Sequence, residues 1–168
     1  GSVTARFGIS SHGQGLETTL AQVIAEELGV QVSDVRVING DTSGVAHSTG
    51  TFASRSTVLA GGAAILSARD VKEQALKAAA HIFETDPADL DAAGGEISVM
   101  GTDRRMSFQQ LAKGLFSEMG RFPKELREEI SLEATHMYDP SFGTTSPASH
   151  SVVIEVDRDT YGVSILHN

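Results

Sequence analysis

Gly13-Gln14-Gly15-Leu16-Glu17-Thr18-Thr19-Leu20-Ala21-Gln22-Val23-Ile24-Ala25-Glu26-Glu27-Leu28-Gly29-Val30 is the stretch whose reading decides the fold. Its apolar residues Leu16, Leu20, Val23, Ile24 and Leu28 recur at intervals of three and four. That spacing gathers side chains on one side of a helix turning once every ~3.6 residues. Gly29 follows the last of them, where a helix ends readily because glycine takes the left-handed backbone without a Cβ penalty. An amphipathic helix over Leu16–Leu28 is predicted, entered through a Gly-Gln-Gly turn. Upstream, Val3 to Ile9 reads as a short strand. Downstream, Val35, Val37 and Ile38 read as another, closed by the turn residues Asn39-Gly40-Asp41.

Residues 39–54 are rich in Gly, Ser, Thr and Asp and lack periodicity. A loop of that length inside a compact domain is usually functional or mobile. An Ala-rich helix starts near Ser54 to Ser56 and continues through Leu66, Leu76 and Phe83, its small residues favouring close packing. Asp86-Pro87 supplies an N-cap followed by proline at the first helical position, so a short helical turn is expected, ended by Gly94-Gly95. Glu96 to Met100 alternates as a strand, with a turn at Gly101-Thr102-Asp103. Ser107-Phe108-Gln109-Gln110 has the form of a capping box opening another helix. Residues 121–129 read as a charged linker or surface helix, and Ile130, Leu132 and Ala134 as a strand. Ser141 to Ser149 reads as a loop. Val152, Ile154 and Val156 alternate with polar neighbours and join Val163 and Ile165 through Asp157-Arg158-Asp159-Thr160-Tyr161-Gly162 as a hairpin. The expected class is α+β, with a mixed or antiparallel sheet and helices packed on it.

The chain has 168 residues and a formal net charge of −9. That length suits one domain, residues 1–168. The acidic balance argues against nucleic acid or an anionic membrane as partner, since both need a basic surface. Absence of cysteine excludes disulfides, thiolate zinc and iron–sulfur ligation within the chain. No apolar run reaches bilayer length, and the expected location is the cytoplasm. Gly1-Ser2 has the form of a tag-cleavage remnant and Val163 to Leu166 that of a strand without a following cap, so the expectation is a piece of a larger subunit.

Two segments have chemical promise. His12-Gly13-Gln14-Gly15 leads into one helix start and Gly50-Thr51-Phe52-Ala53-Ser54-Arg55-Ser56-Thr57 into the other. A helix start exposes unpaired N–H groups at the positive end of a dipole, and small residues let a ligand reach the main chain, so both starts suit an anion. Arg55 adds fixed charge, and Thr18, Thr19, Ser54, Ser56 and Thr57 add hydroxyls suited to phosphate oxygens. Gln14 offers both a donor and an acceptor. The plainer alternative stays open: a tight turn before a helix and hydroxyls that only cap it. Other motifs lead nowhere. Gly40-Asp41-Thr42-Ser43-Gly44 departs from a serine-nucleophile segment at Thr42, and the six histidines form no H-x-x-x-H pair. Glu17 suits its helix dipole, and the acidic stretch from Glu118 to Glu133 reads as a solvated face.

Taken in order, Gly13 through Gln22, Glu27-Leu28-Gly29-Val30, Val35-Arg36-Val37, Gly40-Asp41-Thr42 and Gly50 through Ser56 resemble the large subunit of molybdenum hydroxylases, the family of xanthine dehydrogenase, aldehyde oxidase and aerobic carbon monoxide dehydrogenase. The likeness persists more loosely through Ala134 to Pro140 and Val153 to Asp157. The resemblance implies a domain binding molybdenum–molybdopterin cytosine dinucleotide, whose pyrophosphate suits the two helix starts. It implies that Gly13, Gln14, Gly15 and Thr18 meet the cofactor from one side. Thr51, Phe52, Ala53, Ser54, Arg55 and Ser56 then meet it from the other, with Ala53 close to the metal ligands. It also implies FAD and two-iron, two-sulfur (2Fe-2S) groups on partner subunits or domains, the remainder of the large subunit as a partner, and a small-molecule substrate. The family's general base is a glutamate in a G-x-G-E context that this sequence does not contain, so no catalytic residue and no metal ligand are assigned. The isolated piece is expected to be inactive. Two rival readings are a non-catalytic assembly module keeping the same fold and an unrelated phosphate-binding enzyme.

Overall fold

The computed structural model describes residues 2–48, 50–118, 120, 122–140 and 148–167. Strand β1 (Val3–Phe7) leads to helix α1 (Leu16–Leu28), which returns the chain to strand β2 (Val35–Asn39). β1 and β2 pair in parallel, Val3 opposite Val35 and Phe7 opposite Asn39. The parallel pairing needs a crossover, and α1 supplies it. α1 begins and ends where its apolar spacing predicts, and Gly29 caps it at φ 75° while its N–H reaches Ala25 O.

Helix α2 (Ser56–Phe83) has 28 residues, an axis of roughly 42 Å. It runs through two hydrophobic clusters. In the first, Ala60, Ala64 and Ala68 face Leu16, Leu20, Ile24 and Leu28 of α1, with the inner side chains of β1 and β2 beneath. Both stripes repeat every four residues, and alanine lets the backbones come close. In the second, Ala75, Ala78, Ala79 and Phe83 pack on strands β3 (Leu90–Ala93) and β4 (Glu96–Val99), helix α3 (Phe108–Ser117) and Phe122. Leu16, Leu20, Ile97 and Leu111 are almost entirely removed from solvent. Truncating any one of them to alanine costs about 2–5 kcal/mol.

The second cluster bears out one expectation and corrects another. Asp86 does cap a helical turn, its carboxylate accepting from Ala88 N at 2.9 Å, but the turn is only Pro87–Asp89. Gly94-Gly95 does not end it. β3 intervenes, and the glycine pair is the turn between β3 and β4, which continues to β5 (Arg105–Ser107) in a three-stranded antiparallel sheet. The capping box at Ser107 and Gln110 is present in both directions. The charged segment forms helix α4 (Lys124–Glu129).

Ile130, Leu132 and Ala134 do not form a strand. Their burial does alternate with that of their neighbours, as a strand's would, yet they pair with no other strand. Instead Gln74 of α2 takes over the backbone: its Oε1 accepts from Ser131 N at 3.0 Å and Leu132 N at 2.9 Å, and its Nε2 donates to Glu133 O at 3.1 Å. Residues 141–147 of the expected Ser141 to Ser149 loop lie outside the described residues.

Strands β6 (Val153–Val156) and β7 (Val163–His167) form the expected hairpin. Ile154 lies opposite Ile165 and Val156 opposite Val163, giving one apolar face whose four side chains are all exposed. The fold is α+β as anticipated, with its strands divided among three small sheets. Among the described residues no helix is long and apolar enough to cross a membrane.

Candidate functional site

The second glycine-rich segment is hydrogen-bonded to the chain just ahead of the first. Glu27 near the end of α1 grips Arg69 with two hydrogen bonds, at 2.9 and 3.1 Å. Glu27 lies eleven residues from the first residue of α1 and Arg69 thirteen from that of α2, and Ser10 and Thr51, six and five residues ahead of the two helices, also meet, so the helices run side by side in the same direction. At 1.5 Å per residue their starts are level to within about 3 Å along the axis. The loops leading into them are joined directly. Thr51 Oγ1 donates to Ser10 O at 2.5 Å and accepts from Ser10 N at 3.4 Å and from Ser56 Oγ at 3.0 Å. Ser48 Oγ donates to Gly8 O at 2.7 Å, where a side chain at position 8 would collide with the His47 carbonyl. Two positive helix ends therefore open side by side, and neither N-cap is satisfied by a side chain.

At the first start, Gly13 and Gly15 have φ of 96° and 73° and open space where a Cβ would stand. That backbone suits glycine and leaves the main chain approachable. Gln14 is exposed; its Oε1 accepts from His12 N at 2.5 Å, and its Nε2 has no partner among the described residues. Thr18 is exposed on the first turn, and Glu17 accepts from Asn39 Nδ2 at 2.8 Å, tying the helix start to the end of β2. That bond holds the Glu17 carboxyl below its ordinary value.

At the second start, Ala53 and Ser54 adopt φ of 53° and 56°. Two successive non-glycine residues in the left-handed region cost energy, and such conformations gather at ligand clamps. Phe52, Ala53 and Ser54 are exposed. The Arg55 guanidinium lies 4.7 Å from the Phe52 ring centroid, and its Nε is shut off from solvent with no hydrogen-bond partner. A buried donor of a cation without an acceptor is costly, and a small turn of the Arg55 side chain toward an anionic ligand would relieve it. Thr51 and Ser56 turn inward and spend their hydroxyls on one another and on Ser10, so they fix the shape of the loop from beneath.

Of the expected residues, Gly13, Gln14, Gly15 and Thr18 are exposed at the start of α1 and Phe52, Ala53 and Ser54 at the start of α2, while Thr51 ties the second loop to Ser10 just ahead of the first. The cavity lined by Leu115, Phe116, Arg127, Ile130, Ser131 and Leu132 and that lined by Ala80, His81, Glu84, Thr85 and Asp86 lie elsewhere. Among the described residues no three His, Asp or Glu side chains gather as metal ligands. An anionic group fits this donor set: uncapped helix starts, an Arg55 Nε without an acceptor and the free Gln14 amide. Sequence reasoning did not foresee Ser10 and Ser48, which lock the two loops together; a serine before a glycine turn carries no signal of a partner forty residues away.

Comparison with known proteins gives the family of the chain. The family model described as molybdopterin cofactor-binding domain matches residues 1–167. The chain is 37% identical over 169 residues to the 6-hydroxypseudooxynicotine dehydrogenase complex subunit gamma of Paenarthrobacter nicotinovorans, covering 99% of this chain and 20% of that protein. It is 39% identical over 160 residues to the carbon monoxide dehydrogenase large chain of Hydrogenophaga pseudoflava, covering 95% and 19%. The solved structure of quinoline 2-oxidoreductase from Pseudomonas putida 86 superposes with a TM-score of 0.76 at 30% identity, over 98% of this chain and 21% of that one. The chain spans about a fifth of the length of the relatives it matches.

Proposed function

The chain belongs to the molybdopterin cofactor-binding domain family, and from that membership we propose that it forms one wall of the cofactor site in a cytoplasmic molybdenum hydroxylase. The observation that carries the reading is the Arg55 Nε, shut off from solvent without an acceptor beside two uncapped helix starts. A phosphate oxygen of the cofactor supplies that acceptor; the cytosine dinucleotide form is the one proposed, on the resemblance of the glycine-rich segments to bacterial members of the family. Gly13, Gln14, Gly15 and Thr18 hold it from the α1 side, and Phe52, Ala53, Ser54 and Arg55 from the α2 side. Thr51 and Ser56 keep the second loop in shape. When bound, the molybdenum centre supplies the redox chemistry by which the parent enzyme hydroxylates a carbon centre with oxygen from water, or oxidises carbon monoxide. The residues of this chain bind and orient the cofactor; none of them is given a proton-transfer role.

The remainder of the large subunit, an FAD-binding subunit and an iron–sulfur subunit carrying a 2Fe-2S cluster complete the proposed assembly, which acts on a small molecule. One relative is named as a subunit of a complex, which supports the multi-subunit reading. The apolar hairpin face of Ile154, Val156, Val163 and Ile165 offers the remainder of the large subunit a surface to cover. Family membership favours this account over that of an assembly module without cofactor. The test is elemental analysis of the purified parent complex. Stoichiometric molybdenum is expected in the wild type, with reduced retention in Gln14→Ala and Arg55→Ala. Undiminished molybdenum and activity in both variants would remove these residues from the site.

A further inference from the structure

We propose that residues 131–138 are a strap that holds the first turns of α2 in position for the cofactor, with the Tyr138 ring against Gly62 as its latch. The proposal rests on the cofactor-binding reading above.

Three anchors define the strap. Gln74 binds the backbone of Ser131, Leu132 and Glu133 through three hydrogen bonds. His136 Nε2 meets Asp70 Oδ2 at 2.7 Å. The Tyr138 ring covers Gly62 so closely that a Cβ there would fall 2.2 Å from Tyr138 Cδ1. The helix positions 74, 70 and 62 differ by multiples of four, so they lie on one stripe of α2, separate from the Ala60, Ala64 and Ala68 stripe that faces α1. The distances agree. From Gln74 to Gly62 the helix axis advances about 18 Å, and six extended residues from Leu132 to Tyr138 span about 20 Å. The strap therefore runs antiparallel to α2, toward its start.

Two turns further toward the N-terminus, the face that carries Gly62 also carries Arg55, seven residues away. The strap thus ends two turns short of Arg55, on the face of α2 from which that residue, with its buried, partnerless Nε, projects. Ala53 and Ser54 just before it have strained backbones, and strained conformations persist only where their surroundings over-determine them. α1 and the Thr51 hydroxyl hold the start of α2 on one side; the strap holds the other. Tyr138 has no hydrogen-bond partner among the described residues, so its contribution is the ring and not the phenol.

The experiment uses the intact parent complex and follows the rate at which molybdenum and fluorescent pterin are released during mild denaturant exposure, alongside the thermal unfolding midpoint. Tyr138→Ala is expected to speed release about tenfold, the scale on which supporting residues tune bound groups. Tyr138→Phe is expected to release at the wild-type rate. Gly62→Ala expels the ring and should match Tyr138→Ala in release. Release from Tyr138→Ala at the wild-type rate, or from Tyr138→Phe as fast as from Tyr138→Ala, overturns the strap. If Gly62→Ala does not fold, the Tyr138 pair decides alone. A wild-type complex without molybdenum and pterin would instead refute the cofactor reading itself, which separates the two failures.

Discussion

Thr51→Val exchanges a hydroxyl for a methyl group of nearly the same shape and so isolates what joins the two helix starts. Thr51 Oγ1 makes a short bond to Ser10 O, a good one from Ser56 Oγ and a long one from Ser10 N. Each well-formed bond contributes about 1 kcal/mol net. The substitution also leaves the buried Ser56 hydroxyl without its acceptor. Water replaces part of the loss because Thr51 is only half-buried, so the expected cost is about 2 kcal/mol. For a domain of this length that is a fall of about 4–8 °C in Tm. The assay is urea unfolding followed by circular dichroism, with Thr51→Ser as the control that keeps the hydroxyl. The midpoint should fall for valine and hold for serine, with the same slope in both. Equal stability of the two variants would refute the claim that this hydroxyl couples the loops.

Gly29→Ala should destabilise the fold by more than about 1 kcal/mol, because φ is 75° and a Cβ would stand 2.1 Å from Ala92 O; a urea midpoint near wild type would contradict that contact. Gln74→Ala should remove hydrogen-exchange protection from the Ser131 and Leu132 amides, and unchanged protection would show that they have another acceptor. The Asn39 hydrogen bond lowers the Glu17 pKa from 4.5 in the folded state, so its stabilisation is present above that value and lost as pH falls through the folded pKa. The stability gap between wild type and Asn39→Ala should therefore be open at neutral pH and close in acid; a gap independent of pH would rule out the ionised carboxylate as its source.

Long, strongly periodic features were legible in the sequence. α1 is bounded by its own apolar spacing and by Gly29, and α2 by the change from a polar loop to an alanine-rich run. β3 was not legible, because Leu90-Asp91-Ala92-Ala93 is short and alanine carries little strand signal. Ile130 to Ala134 shows the opposite difficulty. Alternation reports which side chains are buried and is silent on whether the backbone finds a strand or, as here, the amide of Gln74. The site was readable as two separate segments from their glycines, hydroxyls and arginine. That they open side by side was not, since it depends on Glu27 reaching Arg69 and Thr51 reaching Ser10, each about forty residues away. Nor do Ala53 and Ser54 announce a left-handed backbone, which no glycine marks.

The most direct test of the central claim is a structure of the loaded parent large subunit, with molybdenum located by its anomalous signal. The account predicts one pterin nucleotide spanning both helix starts, with a phosphate oxygen accepting from Arg55 Nε and the Gln14 amide facing the same ligand. A cofactor bound at only one of the two starts, or on another surface, would contradict it.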